Sequence, residues 1–166
     1  MDIVFINPYV GQNYQSLQFK YSAIEPPTWA LLLSQSMRNF GFKVSIIDSN
    51  AESLNKVEIY DRIIKLNPRF ICFVVYGQNV NAGTTNMEGA TEISNYIKSR
   101  KKDAYIGFVG SHVQALPKQV LKTENSIDIV FTNEAVYSLR NLLSIRNFNE
   151  NSLSKVKGIC FRKKNL

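Results

Sequence analysis

Five short apolar runs punctuate this chain, at residues 3–6, 44–47, 70–75, 105–109 and 127–131. Each ends in a small or polar loop, and each is followed by a stretch whose apolar residues recur at helical spacing. Continuous apolar runs of this length, alternating with amphipathic helices, predict a parallel sheet covered by helices on both faces. The first helix is predicted to open at Pro26-Pro27, bury Leu32, Leu33, Met37 and Phe40, and stop at Gly41, with Trp29 as a packing residue. The second carries Ile59, Tyr60, Ile63 and Ile64 and finishes before Pro68. Further helices use Ala90, Ile93 and Ile97, then Val120 and Leu121 after Pro117, then Val136, Leu139 and Leu143. Residues 144–154 read as a polar linker and residues 156–162 as a last strand at an edge.

Five such units match a flavodoxin-like doubly wound α/β fold: a five-stranded parallel sheet of order 2-1-3-4-5, helices on both faces, and a short C-terminal strand. The expected division is an α/β domain over residues 1–146, then a linker and strand over 147–166 that lead toward a catalytic domain absent from this chain. In such sheets ligands bind beyond the carboxyl ends of the strands, where neighbouring connections diverge. That point falls between the first and third strands. The two longest connections, residues 8–25 and 77–88, leave these same two strands, and connections of that length are often functional. A large ligand is the expectation.

The strand-end loops hold the candidate binding residues: Asn7, Pro8 and Tyr9; Tyr76, Gly77, Gln78 and Asn79, continuing to Thr84, Thr85 and Asn86; Gly110, Ser111 and His112; and Thr132, Asn133 and Glu134. Amides and hydroxyls dominate, which suits holding a ligand. Gly77 and Gly110 offer close backbone approach. Glu134 reads as stabilising the N-terminus of the helix that follows it, and Asp48 as capping a loop. No nucleophile–base pair is visible, so no catalytic residue is assigned and catalysis is not expected from this chain alone.

Several occupants of such a fold fail on chemistry. Phosphoacceptor domains need carboxylates after the first and third strands, where this chain has Asn7 and Tyr76-Gly77. Flavin or dinucleotide sites need a hydroxyl-rich or Gly-x-Gly-x-x-Gly loop opening onto a helix, and the first connection offers neither. The net charge of +7 is concentrated at the end: Lys155, Lys157, Arg162, Lys163 and Lys164 face no acidic residue there, which leaves +2 for the rest. Nucleic acid is therefore not inferred. No apolar run is long enough to span a bilayer and no signal peptide is evident, so the expectation is a cytoplasmic protein with no membrane contact. Cys72 and Cys160 lack metal-type spacing and read as small buried hydrophobes; no metal ligand is assigned.

Asn7-Pro8, Glu25-Pro26-Pro27, Gly41-Phe42-x-Val44 and Ile47-Asp48 occur in that order, followed by Gly110-Ser111-His112-x-x-x-Leu116-Pro117 and Val156-Lys157-Gly158-Ile159-Cys160-Phe161-Arg162. Together they resemble the N-terminal cobalamin (B12)-binding domain of B12-dependent radical SAM enzymes, over nearly the whole chain. The resemblance implies a bound cobalamin without a histidine ligand, since Asn7-Pro8-Tyr9 stands where B12 mutases carry Asp-x-His-x-x-Gly. It implies a radical SAM barrel in cis, absent here, which would hold S-adenosylmethionine and a 4Fe-4S cluster and most often transfer a methyl group. The amide arms of the corrin would pair with Gln78, Asn79, Asn81, Thr84, Thr85 and Asn86, and Tyr9 and Tyr76 would pack on the macrocycle or tail base. Val109 and Asn133-Glu134-Ala135-Val136 depart from the family's more usual glycine-rich sequences. They support the alternative, a cofactor-free protein-interaction domain of the same fold.

Overall fold

Strands β1 (Ile3–Asn7) and β3 (Phe70–Val74) lie side by side at the centre of a sheet in a computed structural model that describes residues 1–8, 26–76 and 80–163, with side chains over the last range from Asn86 onward. Around them stand β2 (Val44–Asp48), β4 (Ile106–Val109), β5 (Ile129–Phe131) and β6 (Ile159–Phe161), in the order β2-β1-β3-β4-β5-β6. All neighbours are parallel except β6, which runs antiparallel to β5 with Val130 opposite Cys160. The order predicted from the apolar runs and the terminal edge strand are both present.

Seven helical segments connect the strands among the described residues: α1 (Thr28–Asn39), α2 (Lys56–Leu66), α3 (Val80–Arg100), α4 (Ser111–Ala115), α5 (Pro117–Thr123), α6 (Val136–Ser144) and α7 (Glu150–Leu153). None is long and apolar enough to cross a membrane. Because successive side chains of a strand point to opposite faces, β1 divides its apolar residues. Ile3 and Phe5 pack with Leu33 and Met37 of α1 and Leu139 and Leu142 of α6. Val4 and Ile6 pack instead with Ile59 and Ile63 of α2, Ala90 and Ile97 of α3, and Val113 of α4. Helix α1, after β1, thus covers one face, and α3, after β3, covers the other. The neighbouring connections diverge at the β1/β3 boundary, as the sequence implies.

Helix boundaries follow their local chemistry. At the end of α1 the Gly41 N–H donates to Arg38 O and the Phe42 N–H to Met37 O, with Gly41 at φ 88°. This is the paired closure that a residue in the left-handed region permits, and glycine adopts it without steric cost. Helix α2 starts at a reciprocal cap: Asn55 accepts from the Val57 and Glu58 amides, while Glu58 accepts from the Asn55 amide. Two arginines tie helix C-termini to the amino edge of the sheet. Arg69, just before β3, donates to Leu143 O in the last turn of α6 and Ile145 O beyond it, and Arg162, just after β6, donates to Leu121 O of α5 and Glu124 O at its C-cap.

Several expectations are corrected. Leu32 and Phe40 are exposed, and α1 buries Ala30, Leu33, Ser34 and Met37, because the sheet meets a face rotated away from Leu32. Ile64 is likewise exposed, while Ile59 and Ile63 carry the contact. The connection after β3 is shorter than read, since residues 80–88 form the first turns of α3. Its polar composition disguised a helix whose later turns are held by Met87, Ala90 and Ile93. The stretch read as a linker buries Phe148 and Leu153, with Phe148 edge-on to Phe70 and Tyr105. Cys72 is buried, and burial pushes its thiol far up from the ordinary range, leaving it inert; Cys160 is half-buried. The connection at residues 9–25 lies outside the described residues.

Gly110 serves the fold. A Cβ there would collide with the backbone carbonyl of Val75, so β3 and the end of β4 approach more closely than any other residue allows. Gly107 is similar, but its neighbour is the ring of Phe70, which can shift. We therefore expect Gly110→Ala to lower stability by about 2–4 kcal/mol and Gly107→Ala by about 1–3 kcal/mol in urea titrations. Equal stability of Gly110→Ala and wild type would contradict the close approach.

Candidate functional site

At the carboxyl edge the strand ends are knitted together through Tyr76, the second residue past β3. Its ring stacks on Trp29 of α1 with centroids 4.5 Å apart and planes at 23°. Its hydroxyl donates to Glu134 Oε2 at 3.0 Å and accepts from Gln114 Nε2 of α4 at 2.5 Å. Its carbonyl accepts from Asn86 Nδ2 of α3 at 2.8 Å. One residue thereby joins the segments that follow β1, β3, β4 and β5. The Trp29–Tyr76 stack bridges the β1/β3 boundary itself, where the crevice is expected. Gln114 extends the network by donating to Asn133 O at 2.9 Å.

The other candidates divide into committed and uncommitted groups. Asn7 Nδ2 donates to Asp48 Oδ1 at 2.8 Å, and Asn7 O accepts from both the amide and the hydroxyl of Ser49. Asp48 also accepts from the Ala51 amide, the loop-capping role read for it. Asn133 Oδ1 accepts from the Ala135 amide at 2.9 Å and from Ser138 Oγ at 3.1 Å, supporting the left-handed Ala135 that precedes α6. Gly158, at φ 81°, fits against the same Asn133 amide and Ser138 hydroxyl. Ser111 and His112 open α4 half-exposed, and Thr132 is exposed; none of their side chains has a hydrogen-bond partner among the described residues. Pro8 is buried.

Further placements follow. Glu134 stands one residue before the N-cap of α6, makes no capping hydrogen bond to it, and accepts from the Tyr76 hydroxyl. The Cβ direction of Gly110 is filled by the Val75 backbone, so its lack of a side chain serves the approach of β3 and β4. Tyr9, Gly77, Gln78 and Asn79 lie outside the described residues. Asn81, Thr84 and Thr85 fall in the first turns of α3, and their side chains also lie outside the description. Trp29 and Gln114 were missed as site residues. Gln114 could have been found from its spacing, one helical turn after Ser111 on the same short helix. Trp29 could have been found from its place just after the prolines, where a first-turn side chain sits at the carboxyl edge.

Burial of Tyr76, followed by the adjacent Glu134 carboxylate, pushes the phenol far above its ordinary range. The group stays protonated and acts as a hydrogen-bond donor. Among the described residues no cluster of three His, Cys, Asp or Glu side chains could hold a metal ion. A concavity of about 400 Å³ at the amino edge is lined by Tyr105, Asp128, Phe148, Leu153, Phe161 and Arg162 among others. There Asp128 pairs with Lys98 and Arg162 is engaged by helix carbonyls, so its principal charges are spent on the fold.

A family model described as B12 binding domain matches residues 17–143. No curated protein matches the chain. Among solved structures, the apo, selenomethionine-labelled cobalamin-dependent S-adenosylmethionine radical enzyme OxsB is similar with a TM-score of 0.70 and 18% sequence identity. The match covers 98% of this chain and 21% of that one. At such identity the likeness is one of fold, and this chain spans about a fifth of that enzyme's length.

The Tyr76 network yields a prediction with a defined sign. Tyr76→Phe keeps the ring stack and removes two hydrogen bonds, one to an exposed carboxylate, for a loss of about 1–2 kcal/mol near neutrality. The unfolded chain releases the phenol proton from about the ordinary value of 10.0, while the folded chain retains it. The contribution of Tyr76 is thus present below pH 10 and declines above it. Chemical denaturation at pH 7 to 11 should show the gap between wild type and Tyr76→Phe narrowing above pH 10. A constant gap would mean that the hydroxyl is solvated.

Proposed function

This chain belongs to the B12-binding domain family, and from that premise we propose that it holds cobalamin at the carboxyl edge of the sheet, over the β1/β3 boundary, and presents it to a catalytic domain. The observation that carries the proposal is the Tyr76 network, which aligns the ends of β3, β4 and β5 around the point where α1 and α3 part. The donor set suits the group. Corrin carries neutral amide arms around its rim, and the uncommitted side chains here, Ser111, His112 and Thr132, offer hydrogen-bonding groups without a carboxylate among them. Half-exposed Trp29 supplies an apolar surface beside them. Gln78, Asn79, Thr84, Thr85 and Asn86 complete the proposed set from the third-strand connection.

Bound cobalamin supplies a cobalt–carbon bond as a source of a transferable methyl group or a radical. This chain's residues do the holding: they bind the amide rim, exclude water from one side, and keep Tyr76 protonated as a fixed donor. In the fuller reading the partner is a radical SAM barrel in cis that contains S-adenosylmethionine and a 4Fe-4S cluster, and the overall reaction is methyl transfer. The structural similarity to a cobalamin-dependent radical SAM enzyme supports that reading. The alternative, a cofactor-free interaction domain, draws support from the internal commitment of Asn7, Asn133 and the Tyr76 hydroxyl.

Purified protein mixed with hydroxocobalamin at micromolar concentration should retain it through gel filtration, with a shifted visible spectrum. Folded but colourless protein would favour the interaction-domain alternative. His112 is the sole histidine of the chain, and we propose that it contacts the rim and not the cobalt. His112→Ala should weaken binding by about two- to tenfold, as for one lost hydrogen bond. It should leave the electron paramagnetic resonance spectrum of bound cob(II)alamin unchanged. Nitrogen superhyperfine splitting that disappears in His112→Ala would overturn that assignment.

A further inference from the structure

The two faces of the sheet are clothed differently. On the α2–α3 face, charges of both signs pair at the surface: Lys56 with Glu92 and Arg62 with Glu52, each at 2.7 Å. The α1–α6 face lacks this pattern. Neither α1 nor α6 contains an acidic residue or a lysine, and their only charged side chains are Arg38 and Arg140. None of the ion pairs among the described residues involves either helix.

Apolar side chains stand where charges would normally be. Leu32 and Phe40 lie two turns apart on one ridge of α1 and its cap, 57% and 42% exposed, and Tyr137 on the neighbouring α6 is 67% exposed. Arg140 links the ridges: its guanidinium lies 5.3 Å from the Phe40 ring centroid and 5.2 Å from that of Tyr137. Arg140 Nε and Nη2 donate to Asn141 Oδ1 at 3.2 and 3.1 Å, an uncharged acceptor, so the guanidinium is held over the two rings with Nη1 left to meet a partner. Leu31 and Arg38 flank the ridge on its other side.

We propose that this α1–α6 face is a docking surface for another protein, apolar at the centre of its contact and carboxylate-bearing at the rim. Composition selects a protein over a membrane. Protein interfaces are enriched in aromatic residues and arginine and depleted in Lys, Asp and Glu, which is the make-up of these two helices. Surfaces that bind anionic lipid carry clusters of about four to eight basic residues, and here there are two arginines. Charge selects the partner: Arg38 and Arg140 take part in none of the ion pairs among the described residues and attract carboxylates. A second copy would bring its own Arg38 and Arg140 against these. The proposal stands on surface chemistry and does not depend on cobalamin binding.

The test uses the full chain and a fluorescein-labelled synthetic amphipathic helix of about 18 residues, with leucines on one face and glutamates flanking them. A control peptide carries lysines in place of the glutamates. Fluorescence anisotropy should show binding of the glutamate peptide and none of the lysine peptide. Leu32→Ser, Tyr137→Ser and Arg140→Gln should each weaken binding by about fivefold or more, with melting temperatures unchanged because all three positions are at the surface. Equal binding of the two peptides, no binding at millimolar protein, or indifference to the three substitutions would overturn the proposal. Two further outcomes would also overturn it by assigning the face elsewhere. One is a concentration-dependent dimer, by sedimentation equilibrium, that Arg140→Gln abolishes. The other is flotation with phosphatidylglycerol vesicles that is lost in Leu32→Ser.

Discussion

Strands β1 and β3 are apolar on both faces, and this constraint shapes the rest of the molecule. Every residue of β3 is buried, and the first four of β1 are fully so. A strand of that kind needs helices above and below it. With β1 and β3 adjacent, the helix leaving one takes the near face and the helix leaving the other takes the far face. Their paths part over the shared boundary, the point where sheets of this kind place a ligand crevice. Tyr76, at the point where the buried run ends, then binds the neighbouring segments into one rim. Its aromatic stack contributes about 0.5–1.5 kcal/mol beyond simple burial. It adds to the part-buried hydrogen bonds from Asn86 and Gln114 in holding that rim.

The two edges of the sheet divide the work. At the amino edge, Arg69 and Arg162 cap the carbonyl ends of α6 and α5, Phe148 fills the gap beside Phe70 and Tyr105, and Asp128 is held by Lys98 and the Ile106 amide. Polar groups there serve the fold. The carboxyl edge keeps Ser111, His112 and Thr132 uncommitted, which is where ligand chemistry has groups to use. The same logic separates the helical faces: paired charges solvate α2 and α3, while α1 and α6 are left apolar with two arginines.

Strand order and the switch point were legible because short continuous apolar runs bounded by small or polar residues, alternating with helical patterns, admit few alternatives. Which face of α1 is inward was not. Leu31, Leu32 and Leu33 are consecutive, and composition alone cannot say which of three leucines meets the sheet; the structure buries Leu33. The start of α3 was hidden by its amides and threonines, which score as loop yet lie on a helix anchored further along by Ala90 and Ile97. Gly110 was recognised as necessary for a close approach, but the approaching atoms belong to Val75. The Tyr76 network joins residues 29, 76, 114 and 134, and no local pattern encodes contacts so distant in the chain. Ser111, His112 and Thr132 were legible as candidates from their place at strand ends, the first two also from the family resemblance, and their side chains have no hydrogen-bond partner among the described residues.

The central claim is a location, and paramagnetic broadening tests it directly. Cob(II)alamin carries an unpaired electron that broadens amide resonances near the cobalt. On binding, the signals of Tyr76, Ser111, His112, Thr132 and Glu134 should broaden, while those of Arg69 and of α7 at the amino edge stay sharp. Broadening centred on α7, or on the outer face of α1 and α6, with the carboxyl-edge signals unaffected, would contradict the account.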